Sequence, residues 1–159
     1  MVDSRSPQFA RRILALDLGK RRIGLALSDE LRLTAQGIET LERTNIREDL
    51  SVLADLAAAR GVSEIVIGLP LHMSGHEGRQ SGHAREFAER LSERTGLPIT
   101  FWDERLTTVE AQRVLRSSGI GIEKRARAVD RLSAVILLES YLDSLEPAAA
   151  GPVTQDSTE

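Results

Sequence analysis

The chain has 159 residues, the length of one ordinary domain, and its lack of cysteine excludes disulfide bridges and thiolate metal sites. Its formal net charge of −3, from 21 basic and 24 acidic residues, gives no overall electrostatic reason for a polyanionic partner. Without a signal sequence or an apolar stretch of membrane-spanning length, the sequence predicts a cytoplasmic domain that does not enter a membrane. We expect this domain over residues 11–146, with flexible termini at 1–10 and 147–159.

The first part of the chain predicts three strands and a helix. The apolar runs "RRILALDLG" and "RIGLALSD" are joined by the basic "GKRR", which predicts a β-hairpin with Gly19 at its turn. "LTAQGIETL" continues this meander as a third strand. From Thr44 the apolar residues follow helical spacing, and we expect Gly61 to cap the end of that helix.

The rest of the chain alternates strands and helices. "EIVIGLP" is a short, wholly apolar strand, and its composition is typical of a central strand that is covered on both faces. A helix ending at Gly96 and a fifth strand, "LPITFWDE", follow, and then helices at "TTVEAQRVLRSSG" and "EKRARAVDRLSAVILLESYLDSL". This order predicts an α/β fold with a mixed five-stranded sheet, three meandering antiparallel strands and two parallel ones, flanked by helices.

Carboxylates stand at places that the fold can bring together. Asp17 ends the first strand, Asp103 and Glu104 end the fifth, and Asp130 lies on an uncharged face of the last helix. Ligands of such sheets bind outside the carboxyl ends of the parallel strands, so we expect these groups to converge at one edge. Their oxygens suit Mg²⁺ or Mn²⁺, and a pair of such ions about 4 Å apart can activate water and stabilise a leaving oxygen in phosphodiester cleavage.

Each of these carboxylates also has a purely structural interpretation. Asp17 can serve as a turn residue of the hairpin, and Asp103 or Glu104 can cap the helix that begins near Thr107. Asp130 can form an ion pair with a neighbouring arginine. Asp103 and Glu104 cannot both point the same way in a regular strand, and the sequence alone does not choose between them.

Basic residues and histidines form two further groups. The basic runs "KRR" at 20–22 and "KRAR" at 124–127 are suited to phosphate contacts, although most such runs are solvated surface. The histidines, His72, His76 and His83, fall in one glycine-rich loop and the start of a helix. They lack the regular spacing of a zinc site and are more typical of loop residues.

Four stretches together resemble one protein family: "LDLGKRRIGLALSD", "IVIGLPLHMSGHEG", "FWDERLTTVEAQRVL" and "KRARAVDRLSAVILLESYL". They resemble the YqgF family of Holliday-junction-resolvase-like proteins, also called RuvX, from about Ile13 to Leu142 and in the same order. The resemblance implies a ribonuclease-H-like fold and an active site at Asp17, Glu104 and Asp130. Asp103 then ranks below Glu104 and remains a further candidate metal ligand.

The resemblance also implies a set of residues that bind a nucleic-acid backbone. Residues of this set match the small and basic positions of the family motifs: Gly19, Lys20, Arg21, Arg22, Arg105, Lys124, Arg125 and Arg127. They would hold phosphates and position a strand without reading its sequence.

The function that the resemblance implies is that of an Mg²⁺- or Mn²⁺-dependent endonuclease acting on structured nucleic acid. Its substrate is either the 5′ end of the 16S ribosomal RNA precursor or a four-way DNA junction, and junction cleavage would favour a homodimer with paired sites. One alternative is a non-catalytic nucleic-acid-binding factor in ribosome assembly. The other is an actin-like nucleotide-binding protein, but such proteins need two domains and further glycine-rich motifs that 159 residues do not provide.

Overall fold

A computed structural model describes residues 11–69, 78–103 and 122–150 of the chain, without the side chains of 79–81, 122–130 and 146–150. Its elements in chain order are β1 (Arg12–Leu18), β2 (Arg22–Ser28), β3 (Ala35–Glu42), α1 (Ile46–Ala59), β4 (Val62–Leu69), α2 (Arg79–Thr95), β5 (Ile99–Asp103) and α3 (Ile122–Ala150). The helix expected at "TTVEAQRVLRSSG" lies outside the described residues. None of the described helices has both the length and the apolar character that crossing a membrane requires.

The strands form one five-stranded sheet in the order β3-β2-β1-β4-β5. β1, β2 and β3 are antiparallel neighbours, whereas β4 pairs in parallel with β1 and with β5. The predicted mixed sheet is therefore confirmed. The wholly apolar β4 lies between two other strands, as its composition predicts.

Apolar side chains cover both faces of the sheet. In β1, Leu14 and Leu16 belong to the core shared with α1 and α2, whereas Ile13 and Ala15 belong to the core shared with α3. The helices contribute Leu50, Leu53, Ala57, Phe87, Ala88 and Leu91 to the first core and Ala134, Leu137, Leu138, Tyr141 and Leu142 to the second. Since side chains of a strand alternate between faces, these cores show which face each strand residue occupies.

Local signals set the helix ends. Asn45 is the N-cap of α1, and its side chain accepts a hydrogen bond from the backbone N–H of Glu48. The predicted C-cap of this helix is wrong by one residue, because Arg60 is the cap and Gly61 follows it with φ of +66°. Gly96 ends α2 with φ of +74°, which confirms the second predicted glycine end.

Helix α3 crosses the sheet from one edge strand towards the other. The side-chain Cγ of Arg131 lies 2.5 Å from where a Cβ on Gly37 of β3 would stand, so this glycine allows the helix to approach closely. Further along the helix, the Tyr141 hydroxyl donates a hydrogen bond to Glu64 of β4. The helix thus passes over β2 and β1 between these two contacts.

Candidate active site

The carboxyl ends of β1, β4 and β5 meet at one edge of the sheet because these strands run parallel. Asp17 is the penultimate residue of β1 and is half-buried. Asp103 is the last residue of β5 and is exposed. The expectation that Asp17 ends its strand is wrong by one residue, since β1 continues to Leu18 and Asp17 still pairs with Gly24.

Asp17 and Asp103 lie at the same edge but on opposite faces. Ala15 packs in the α3 core, so strand alternation assigns Asp17 to the α3 face. In β5, Phe101 packs against the core of α1 and α2 and Trp102 against the α3 core. The same alternation assigns Asp103 to the α1 and α2 face, away from Asp17.

Glycines flank Asp17 on both neighbouring strands. In β2 its partner is Gly24. The parallel register of β1 and β4, continued by one residue, brings Asp17 level with Gly68, which pairs with Trp102 of β5. At this level of the α3 face neither neighbouring strand carries a side chain, so the strands leave the Asp17 carboxylate room for a ligand.

Strand β3 has a β-bulge opposite Gly24, at the level of Asp17 in the sheet. Ile23 pairs with Leu41 and Leu25 with Ile38, so two residues of β3, one of them Thr40, oppose the single Gly24. Leu41 packs against the core of α1 and α2, and alternation therefore assigns Thr40 to the α3 face, as it does Asp17. The sequence carries no signal for this bulge.

Helix α3 carries the Asp130 position on its inner face. Asp130 precedes Ala134, which is fully buried against the sheet, by one helical turn. The side chain of Asp130 lies outside the described residues, as do those of the predicted binding residues Lys124, Arg125 and Arg127. Glu104 and Arg105 fall in a segment that the structure does not describe.

The basic turn, Gly19 to Arg22, connects β1 to β2 beside Asp17. The backbone N–H of Gly19 donates to the carbonyl of Arg22 at 2.9 Å. A Cβ at Gly19 would stand 2.6 Å from that carbonyl oxygen, so the turn requires glycine. Lys20 and Arg21 are exposed at its tip.

Arg43, which sequence reasoning missed, holds this turn in place. Its side chain donates to the carbonyl of Gly19 at 2.9 Å and to the carboxylate of Asp49 at 3.2 Å. Its backbone N–H donates to the carbonyl of Arg21 at 2.8 Å, and its guanidinium lies 5.4 Å from the centroid of the Phe87 ring. These contacts link the basic turn to the start of α1.

The partner of Arg43 is a buried carboxylate. Asp49 is only 2% exposed and also accepts from the backbone N–H of Thr44 at 3.1 Å. In the sequence it is one of two acids in the first turn of a helix, which is an ordinary pattern that gives no sign of burial. A groove of about 510 Å³ lies above the pair and is lined by residues that include Lys20 and Arg21.

Among the described residues, no three His, Cys, Asp or Glu residues form a group that could hold a metal. Of the predicted metal ligands, only Asp17 and Asp103 have side chains in this described part of the chain. The triad of Asp17, Glu104 and Asp130 stays a prediction because only Asp17 has a described side chain. His83 is exposed on α2, and His72 and His76 lie outside the described residues.

A separate polar network lies near the amino end of β4. Glu64 accepts hydrogen bonds from Tyr141 and from Arg32, the latter at 3.4 Å. Burial and the hydrogen bond to Glu64 raise the pKa of the Tyr141 hydroxyl. Glu64 is the third residue of β4, so this network lies towards the edge opposite to Asp17 and joins α3 to the sheet.

Solved structures confirm the predicted ribonuclease-H-like class of fold. The T. thermophilus RuvC in complex with Holliday junction substrate matches with a TM-score of 0.56 and 12% identity, over 88% of this chain and 96% of that one. The Fowlpox virus resolvase in complex with Holliday junction DNA matches with a TM-score of 0.53 and 12% identity, over 84% and 98% of the two chains. At these identities the likeness concerns the fold alone.

Sequence comparison identifies the family. A family model named RuvX and described as Holliday junction resolvase matches residues 11–144. A protein of Koribacter versatilis (strain Ellin345) named "Putative pre-16S rRNA nuclease" is 54% identical over 132 residues, which cover 83% of this chain and 86% of that protein. A protein of the same name from Syntrophus aciditrophicus (strain SB) is 48% identical over 134 residues, 84% and 89% of the two chains. The chain therefore belongs to the RuvX family, and the resemblance seen in its four motifs is confirmed.

Proposed function

We propose that this protein is a divalent-metal-dependent nuclease that hydrolyses phosphodiester bonds in structured nucleic acid. The observation that carries the proposal is the place of Asp17, a half-buried carboxylate at the carboxyl edge of the parallel strands with glycines level with it on both sides. A turn residue would need no such open surface. The chain belongs to a family described as resolvase and has relatives named as nucleases, and both facts support a nuclease function.

The donor chemistry fits a hard divalent cation. Asp17 supplies carboxylate oxygens, the ligands that Mg²⁺ and Mn²⁺ prefer, at a place where the neighbouring strands carry no side chains. Asp17, Glu104 and Asp130 are the residues that would hold the ion. When bound, Mg²⁺ or Mn²⁺ would supply Lewis-acid activation of water and stabilisation of the leaving oxygen.

Strand alternation supports Glu104 rather than Asp103 as the partner of Asp17. Asp103 belongs to the α1 and α2 face, opposite to Asp17. If β5 continued regularly by one residue, Glu104 would take the face of Trp102 and Asp17. We therefore propose Glu104 as a ligand and assign Asp103 no direct role.

Basic residues beside the carboxylates would bind the substrate backbone. Lys20 and Arg21 are exposed on a turn whose position is fixed by Arg43. Phosphate contacts at these residues would set the register of the strand, while sequence recognition would come from elsewhere. The "KRAR" segment at 124–127, near the start of α3, is proposed as a second set of phosphate contacts.

The 5′ end of the 16S ribosomal RNA precursor is the substrate that we favour. Relatives named as pre-16S rRNA nucleases include proteins that are 42–54% identical to this chain. The junction-bound structures, in contrast, are only 12% identical and support a shared fold. A four-way DNA junction is the second candidate and would favour a homodimer, because two strands must be cut symmetrically.

A side-by-side cleavage assay tests the proposal. Wild type and Asp17→Asn are offered a labelled 16S precursor 5′ fragment and a synthetic four-way junction, each with Mg²⁺, Mn²⁺ or EDTA. We expect wild type with metal to cut the RNA and both Asp17→Asn and EDTA to reduce the rate at least 100-fold, because the carboxylate is the proposed ligand. Glu104→Gln and Asp130→Asn should behave like Asp17→Asn with folding little changed.

The outcomes separate the alternatives. Equal cleavage by wild type and Asp17→Asn would remove Asp17 from the site. Binding of both substrates without any metal-dependent product, in wild type and variant alike, would support the non-catalytic ribosome-assembly factor. Preference for the junction, together with a dimer in a sedimentation measurement, would replace the RNA substrate with branched DNA.

A further inference from the structure

Two buried hydroxyl groups have no hydrogen-bond partner in the described part of the chain. They are Oγ1 of Thr40 and Oγ of Ser133, and Ser133 is only 1% exposed. A buried polar atom without a partner costs about 1–3 kcal/mol, so native proteins rarely keep one without a reason. An alanine at position 133 would not carry this cost.

Thr40 lies at the level of Asp17. It is one of the two bulge residues that oppose Gly24, and Gly24 in turn pairs with Asp17. Alternation assigns Thr40 and Asp17 to the same face of the sheet, with no side chain on the strand between them. The first unpartnered hydroxyl therefore lies two strands from Asp17, and the position between them, Gly24, carries no side chain.

Ser133 reaches the same level from α3. It shares one side of the helix with Ser140, seven residues or two turns later. The Ser140 hydroxyl accepts from the indole N–H of Trp102 at 2.9 Å, and Trp102 lies level with Asp17 in the sheet. This side of α3 therefore faces the carboxyl edge.

Two contacts of α3 bracket Ser133. Two residues before it, Arg131 packs against Gly37 of β3, and seven residues after it, Ser140 accepts from Trp102 of β5. Two helical residues advance by about 3 Å and seven by about 10.5 Å, whereas neighbouring strands are about 4.8 Å apart. Ser133 is therefore nearer to β3 than to β5 and lies over β2, the strand of Gly24 between Thr40 and Asp17. The Asp130 position lies one further turn along the same side.

We propose that Ser133 is a hydrogen-bonding residue of the Asp17 site, with Thr40 as a second one, and that the ligand of these hydroxyls is the water shell of a bound divalent cation. This rests on the proposed function. The hydroxyls lack protein partners because their partners are water molecules that the cation orders. Groups of this kind around a metal typically account for a 10- to 100-fold difference in its affinity.

Mn²⁺ binding, followed by the electron paramagnetic resonance signal of the free ion, tests the inference without a nucleic-acid substrate. Wild type, Ser133→Ala, Thr40→Val, Asp17→Asn and the control Ser144→Ala are titrated. Ser144 lies on the same helix, but its hydroxyl is already bonded to the carbonyl of Tyr141 at 2.6 Å. We expect Ser133→Ala to weaken Mn²⁺ binding about tenfold or more and Ser144→Ala to leave it unchanged.

Thermal unfolding without metal distinguishes a site residue from a packing residue. Ser133→Ala should keep or raise the melting temperature, because it removes an unpaired buried hydroxyl. Mn²⁺ affinity equal to that of wild type in both Ser133→Ala and Thr40→Val would overturn the inference. If Asp17→Asn nevertheless loses Mn²⁺ binding in the same experiment, the proposed metal site itself is still supported. If wild type binds no Mn²⁺, the metal site and the role of Ser133 are both wrong.

Discussion

Arg43 shows how one residue can serve the site without being part of it. It bonds the backbone of the basic turn through Gly19 and Arg21, and its charge is balanced by the buried Asp49. These hydrogen bonds fix the backbone of the turn, whose exposed tip includes Lys20. A substrate that meets a fixed basic turn need not order it on binding, which saves conformational entropy.

The Arg43 and Asp49 pair gives a prediction about stability. Arg43→Gln leaves Asp49 buried without its cation, and we expect it to lower the free energy of unfolding by about 2 kcal/mol, less than for a fully buried pair because the Arg43 side chain is 26% exposed. Arg47→Gln, which changes an exposed arginine of α1, should change the free energy of unfolding by about 0.5 kcal/mol or less. Urea unfolding measures both, and equal effects of the two substitutions would contradict the role of the pair.

A double substitution isolates the charge. Arg43→Gln with Asp49→Asn removes both partners, so no unpaired charge stays buried, and we expect part of the lost stability to return. If the double variant is as unstable as the sum of the two single variants, the contacts of Arg43 with the Gly19 carbonyl and the Phe87 ring outweigh its charge.

At the scale of secondary-structure elements, two glycines have opposite roles. Gly19 lies in the basic turn, where a Cβ would stand 2.6 Å from the backbone carbonyl oxygen of Arg22. Gly82 lies inside α2, where an added Cβ meets no heavy atom within 4 Å beyond the backbone of its own helical turns. We expect Gly19→Ala to destabilise the fold by about 1–3 kcal/mol and Gly82→Ala to stabilise it by about 0.5–1 kcal/mol, because alanine loses less backbone entropy in a helix.

Thermal melting of the two glycine variants checks this prediction, since both make the same chemical change. The melting temperature should fall for Gly19→Ala and rise for Gly82→Ala. A turn that tolerates alanine at 19 without loss of stability would show that the close approach to Arg22 is relaxed in solution.

The elements themselves could be predicted from local patterns. Gly96 ended a helix as expected, and the uninterrupted apolar run of β4 marked a central strand. Features that depend on partners distant in the chain could not be predicted. The bulge at Thr40 arises from pairing between β2 and β3, and the burial of Asp49 arises from a contact with Arg43, neither of which has a local signature.

For the molecule as a whole, the sequence predicted at which edge of the sheet the candidate site lies, but not on which face of the sheet each carboxylate lies. Asp17 and Asp103 both stand near the carboxyl ends of their strands, and such a pattern indicates a shared edge. Only the packing of the two cores separates them, because it assigns Asp17 to the α3 side and Asp103 to the other. The glycines beside Asp17 likewise acquire meaning only through strand register.

Charge distribution over the whole molecule gives the last prediction. The net charge of −3 does not attract a polyanion, so local basic groups must supply the electrostatic part of binding. If Lys20 and Arg21 each contact one phosphate, Lys20→Ala with Arg21→Ala should weaken nucleic-acid binding and make the slope of log K against log salt shallower by about 1.4 to 1.8.

The control variant carries the same change in charge at the other end of the molecule. Arg90→Ala with Arg94→Ala removes two exposed arginines late in α2, a helix that leads back to the amino edge where β5 begins. Fluorescence anisotropy at several salt concentrations should give this variant the slope of wild type, because long-range attraction is screened within about 10 Å. Equal losses of slope in the two variants would mean that binding responds to net charge alone, and the basic turn would then be an ordinary solvated surface.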